Sequence, residues 1–158
     1  GAFKMIQLFA LLSSCLLIVL IGGAQEEECK SDNTDAAKAF SGGTFSLQKS
    51  SFPAPKKCAK IKTPTETSWT ETTVEFTYKS ESQMVTKEIP VKADGTGELT
   101  ATVVYNNVKC VVTRLPEGLG ADLWTRDGLD NPDKCCLKPF EENKGEREGV
   151  DTQNGCSS

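Results

Sequence analysis

The sequence contains no histidine. That absence excludes Ser-His and Cys-His nucleophile pairs and removes the commonest general acid or base near neutral pH. Any zinc set would have to be built from cysteine alone, yet no Cys-x-x-Cys spacing occurs. Gly95-Thr96-Gly97 lacks the rest of any phosphate-cradling loop and reads as a turn. Carboxylate-only chemistry needs a pair of acids, as in glycoside hydrolysis, but the acids here stand singly among lysines and threonines. The expectation is a protein that is not an enzyme and holds no cofactor and no metal. Runs of Lys or Arg are also missing, and the net charge is −4. This balance argues against nucleic acid and against anionic membrane surfaces as partners. Aromatic residues are few: seven Phe, two Tyr and two Trp. No Asn-x-Ser/Thr sequon is present, so N-glycosylation of the usual kind is not expected.

Only one long apolar run exists, at residues 6–21. Lys4 precedes it, and Gly22, Gly23 and Ala24 follow. A positive start, an apolar stretch and small residues at a cleavage point are the marks of a secretory signal. The run is shorter than the roughly 20 residues a spanning helix needs. Residues 1–24 are therefore expected to be a signal peptide, leaving 25–158 as a single domain. Removing Lys4 and no acid takes the charge from −4 to −5. Of seven cysteines, Cys15 falls in the signal; Cys29, Cys58, Cys110, Cys135, Cys136 and Cys156 remain. An even count behind a signal implies a secreted, extracellular protein with up to three bridges. Six cysteines allow about fifteen pairings, and spacing alone does not choose among them.

Residues 35–40 suit a short helix, with Asn33 or Asp35 near its cap and Gly42-Gly43 breaking it. From 44 to 125 the pattern has period two and is rich in Thr and Val. Phe45 and Leu47 alternate with Ser46 and Gln48; Val74, Phe76 and Tyr78 alternate with Glu75, Thr77 and Lys79. Residues 85–91 continue the pattern, with Pro90 placing that strand at an edge or bulge. A turn at 94–97 leads to a strand at 98–105, Asn106-Asn107 reverses into 108–115, and 121–126 is the last strand. Seven strands on short connections favour an antiparallel meander rolled into a barrel or sandwich. Residues 133–143 suit a short helix despite Pro139, and 144–158 is polar.

Particular residues then point to a family. In the C-terminal third of the chain, Cys110-Val111-Val112, Ala121-Asp122-Leu123-Trp124-Thr125, Asp130-Asn131-Pro132, Cys136-Leu137-Lys138 and Phe140 resemble the tick salivary lipocalins. That group includes the histamine-binding proteins. Asp35-Ala36-Ala37-Lys38 is similar to the family's Asp-Ala-Trp-Lys helix, and Cys58 stands where the family places a second-strand cysteine. The resemblance implies an all-β fold with short flanking helices: a lipocalin-like antiparallel up-and-down barrel of seven to eight strands with a C-terminal helix outside. It also implies the bridges Cys58–Cys156 and Cys110–Cys136. Cys29 and Cys135 are then left, and a third bridge between them is the economical expectation. Departures are Ala37 and Ala121 in place of larger residues, a short 52–55 connection without acid or Trp, and one strand's worth of residues missing between Thr63 and Gly97.

Members of this family sequester small host mediators: histamine, serotonin, or leukotrienes and other lipids. The resemblance thus implies a monomeric small-molecule scavenger that suppresses host inflammation, most readily by binding a biogenic amine. A buried ammonium needs a carboxylate and acceptors, and an aromatic face adds cation–π attraction. Asp122 and Trp124 lie two apart on a strand and share a side, so they are the leading ligand-binding candidates. Trp124 as a barrel plug beside a solvated Asp122 is the plainer reading. Asp35 is a candidate that also fits an N-cap; Phe76, Tyr78 and Tyr105 are cavity candidates that ordinary packing also explains. Trp69 is expected as core filler or rim, and Lys56, Lys57, Lys60 and Lys62 as exposed strand positions. Two alternatives stand beside the amine reading: a barrel whose loops engage a host protein such as a protease, complement component or cytokine, and a lipid-binding lipocalin.

Overall fold

The computed structural model describes residues 28–94, 96–97, 100–129 and 131–156. The expected signal segment, 1–24, lies outside them, as do 98–99 at the expected start of the fifth strand. The clearest period-two stretch forms β3 (Glu71–Ser80) and pairs along its whole length with β4 (Gln83–Lys92), in register from Ser80↔Gln83 to Glu71↔Lys92. Thr and Val recur here because β-branched side chains suit a half-buried pleated surface. The other strands are β1 (Gly43–Ser50), β2 (Lys57–Thr63), β5 (Thr102–Asn106), β6 (Cys110–Arg114), β7 (Ala121–Arg126) and the short β8 (Val150–Asp151).

The order across the sheet is β4-β3-β2-β1-β7-β6-β5, with β8 pairing β1. Every ladder is antiparallel, and the β1–β7 ladder rolls the meander back on itself. Among the described residues, β4 and the segment leading to β5 meet at the bridge Val91↔Gly97, and no ladder closes the sheet there. Pro90 sits on this edge strand, where its missing N–H costs no ladder bond.

A register shift in β2 falls between Lys57 and Lys60, and two bulges, in β1 and β5, decide which way the side chains around the cavity face. In β1, Leu47 pairs with Trp124 but Lys49 pairs with Leu123, so Gln48 is the extra residue. In β5, Val103 pairs with Thr113 but Tyr105 pairs with Val112, so Val104 is extra. An extra residue on one strand flips every later side chain to the opposite face.

β5, β6 and β7 are covered on both faces. Phe45, Leu47, Ile61, Val111 and Trp124 belong to the inner cluster, while Val112, Leu123, Cys136 and Phe140 belong to an outer one. That outer cluster is built against α2 (Lys134–Asn143), whose N-cap Asp133 accepts a hydrogen bond from the Cys136 amide. A short α1 (Ala36–Ala39) precedes β1 and is capped by Asp35. The disulfides are Cys29–Cys135, Cys58–Cys156 and Cys110–Cys136. They tie the N-terminal segment to α2, the C-terminal segment to β2, and α2 to β6.

The polar tail is a strap rather than a loose end. The Thr152 amide donates to the Gln48 carbonyl, and the Cys58 amide donates to the Thr152 carbonyl. Thr152 Oγ1 and Gln153 Nε2 both donate to the Leu47 carbonyl, at 2.5 and 2.8 Å. Irregular strand segments leave backbone groups without ladder partners, and a buried one is costly; the strap supplies the partners.

Candidate functional site

Inside the rolled sheet is a cavity of about 470 Å³. β7 contributes Asp122 and Trp124, β1 contributes Leu47 and Ser50, and β3 contributes Val74 and Phe76. Ile61, Val103 and Thr113 complete the walls. The connection before β2 supplies Phe52 and Lys56 at one end, and Phe40, Trp69 and Lys92 lie at the other.

The β1 bulge builds the polar spot of this wall. Strict alternation from Phe45 and Leu47 would send Lys49 inward and Ser50 outward. With Gln48 extra, Lys49 turns out to meet Asp151 at 2.6 Å, and Ser50 turns in opposite Asp122. Ser50 Oγ donates to Asp122 Oδ1 at 2.5 Å and accepts from the Phe52 amide at 3.1 Å. Thr113 is the cross-strand neighbour of Asp122 on its other side and also lines the cavity. Among the described residues, no cation lies within ion-pair distance of Asp122. Burial pushes its carboxyl up to about 6, and the Ser50 hydrogen bond offsets part of that rise. A desolvated carboxylate lacking a cation is a site that favours one.

Aromatic groups surround the space beyond it. Phe40 meets Phe45 edge-on at 5.1 Å and Trp124 at 6.3 Å. The Trp69 indole N–H is buried without a hydrogen-bond partner. Lys56 is the cation at the Asp122 end, and its ammonium stands 4.9 Å from the centre of the Tyr78 ring. No group of three His, Cys, Asp or Glu side chains among the described residues is placed to hold a metal ion.

Of the candidates read from sequence, Asp122, Trp124 and Phe76 come together on the cavity wall. Tyr78 is buried in the inner cluster and packs on Phe76 at 5.3 Å, but it does not line the void. Tyr105 faces the opposite way. The Val104 bulge turns it onto the α2 side, where its hydroxyl donates to the Lys30 carbonyl at 3.2 Å. Asp35 is an N-cap, accepting from the Lys38 amide at 3.2 Å, and is exposed. Lys56 lies in the connection ahead of β2 and reaches the cavity rather than standing on an outward strand position. Trp69, expected as core filler or rim, lines the cavity at its Phe40 end. Sequence reasoning missed Ser50, because a bulge leaves no mark in the residue pattern. It also missed Phe40, whose position one residue past α1 was the available signal.

Comparison with known proteins decides the family. The chain is 30% identical to moubatin from Ornithodoros moubata over 136 residues, covering 77% of this chain and 80% of moubatin. The chain belongs to the tick salivary lipocalins. It shares its fold with a protein of known structure, AM182 in complex with serotonin: the TM-score is 0.64 at 25% identity, over 80% of this chain and 94% of the other. No family model matches the chain. Tick lipocalins of this kind are ligand-binding proteins, not enzymes, and the open-seamed eight-stranded sheet with its C-terminal helix is that scaffold.

Proposed function

We propose that this tick lipocalin is a secreted scavenger that captures a small protonated amine of the histamine or serotonin type and thereby dampens host inflammation. Asp122 is the counter-ion, Ser50 positions its carboxylate, and Trp124 is an aromatic wall. The observation that carries the reading is a desolvated carboxylate, without a cation of its own, on the wall of an aromatic-lined cavity. A structural relative that holds serotonin supports the amine class. Three disulfides and salivary relatives support export, for which residues 1–24 would be the signal.

Calorimetric titration with serotonin and histamine tests this. At pH 7.5 we expect micromolar or tighter binding of at least one, weakened at least about 30-fold in Asp122→Asn, since breaking a buried charge pair costs about 2–5 kcal/mol. No binding of either amine removes the reading.

A second reading rests on Lys56 and Lys92, which also line the cavity. These lysines suit the carboxylate of a lipid mediator, whose chain would occupy the apolar walls. An alkanoate bound more tightly than any amine would favour it.

A further inference from the structure

We propose that the preferred ligand is a cationic amphiphile: a protonated amine seated at Asp122 and carrying an apolar chain that extends along the cavity toward Phe40 and Trp69. This deepens the amine reading and rests on it. Three observations lead there.

The first is the segregation of polarity. Asp122, Ser50 and Thr113 are ladder neighbours and form one polar spot. Beyond it come Leu47, Ile61, Phe76 and Trp124. Thr63 is polar, but its hydroxyl is already spent on the Gly43 carbonyl at 3.1 Å. A wall of this kind gains from each methylene it covers.

The second is length. Cavity-lining groups run from Ser50, at the end of β1, to Phe40, ahead of its start. At about 3.3 Å per strand residue this is on the order of 20 Å along the strand, less the tilt. The void of about 470 Å³ falls within the roughly 300–1,000 Å³ typical of sites for drug-sized ligands. A one-ring or two-ring amine held at Asp122 would leave the Phe40 and Trp69 end unfilled.

The third is the placing of the like charges. Lys92 pairs with Glu71 at the far end of the β3–β4 ladder, away from Asp122. Lys56 is at the near end but stands over the Tyr78 ring and is exposed. Neither lysine lowers the proton affinity of Asp122, which burial raises and the Ser50 hydrogen bond alone offsets.

The experiment is a chain-length series on the disulfide-intact protein at pH 7.5: butylamine, octylamine and dodecylamine, the matching alkanoates, and serotonin. We expect affinity to rise about fourfold per methylene, from roughly 0.8 kcal/mol per buried group, until the cavity is full. Octylamine should exceed butylamine on the order of a hundredfold. Each amine should bind more tightly than its alkanoate, and Asp122→Asn should erase that preference while keeping the chain-length slope. Serotonin binding with no chain-length dependence overturns the amphiphile and leaves the small-amine reading standing. Alkanoates preferred over amines overturn both, as does the absence of any amine binding. The wild-type amine-against-alkanoate comparison decides the matter even if the variant folds poorly.

Discussion

Asp122 is a residue that the fold alone would do better without. Its carboxyl titrates near 6 against an ordinary 3.8, because burial penalises the charged form more than Ser50 favours it. Between those values the native state holds a proton that the unfolded chain has released. Native protein then binds more protons, so its stability falls as pH rises. At about 1.4 kcal/mol per tenfold change in proton affinity, Asp122 removes on the order of 3 kcal/mol between pH 4 and pH 7. Asp122→Asn should therefore raise the melting temperature at pH 7.5 and leave it nearly unchanged at pH 4, as read by calorimetric melting at the two pH values. A variant no more stable at pH 7.5 would mean that the carboxylate is well solvated. With no histidine in the chain, no other side chain has an ordinary midpoint between pH 5 and 8.

At the scale of elements, the β1 and β5 bulges separate what the sequence revealed from what it hid. The antiparallel meander, α1 and α2 were readable, because period-two runs, Asp35 as a cap and the Asn106-Asn107 reversal each act locally. The Asp122–Trp124 pair was readable too, since β7 is regular. Tyr105 was misplaced and Ser50 overlooked because each follows a bulge that reverses the inward face. The strap at residues 150–153 was unreadable for a related reason. It pairs with backbone groups near the β1 and β2 irregularities, and backbone groups carry no sequence signature. Cys58, with φ of +55°, is held there by both the Thr152 carbonyl and its bridge to Cys156. Replacing Cys58 and Cys156 together by Ala opens a loop of 98 residues, for which chain entropy suggests a loss of about 4–5 kcal/mol. Denaturant unfolding should show that loss, and amide exchange at Thr152 should accelerate ahead of exchange in β6. Equal acceleration of both segments would contradict a locally fastened strap. Gly120 is a second such point: its φ is +115°, and a Cβ there would lie 2.2 Å from Ser51 Oγ. Gly120→Ala should cost roughly 2–4 kcal/mol in the same unfolding assay.

Across the whole molecule, a rolled sheet with an unlaced β4–β5 seam encloses a mostly apolar hollow, and one carboxylate is aimed into it. The tick lipocalin scaffold explains the hollow, while the position of Ser50 and the absence, among the described residues, of an ion pair to Asp122 explain the chemistry. Ligand charge and proton compete for the same carboxylate, so each must shift the affinity of the other. Amine affinity should be flat from pH 7 to 8 and fall about tenfold per pH unit below 6. The most direct test is the midpoint of the Asp122 carboxyl, followed by NMR in the free protein and with saturating serotonin. The account predicts a midpoint near 6 in the free protein and one lowered by at least a pH unit in the complex. A midpoint near the ordinary aspartate value in the free protein, or one that serotonin leaves in place, would contradict it.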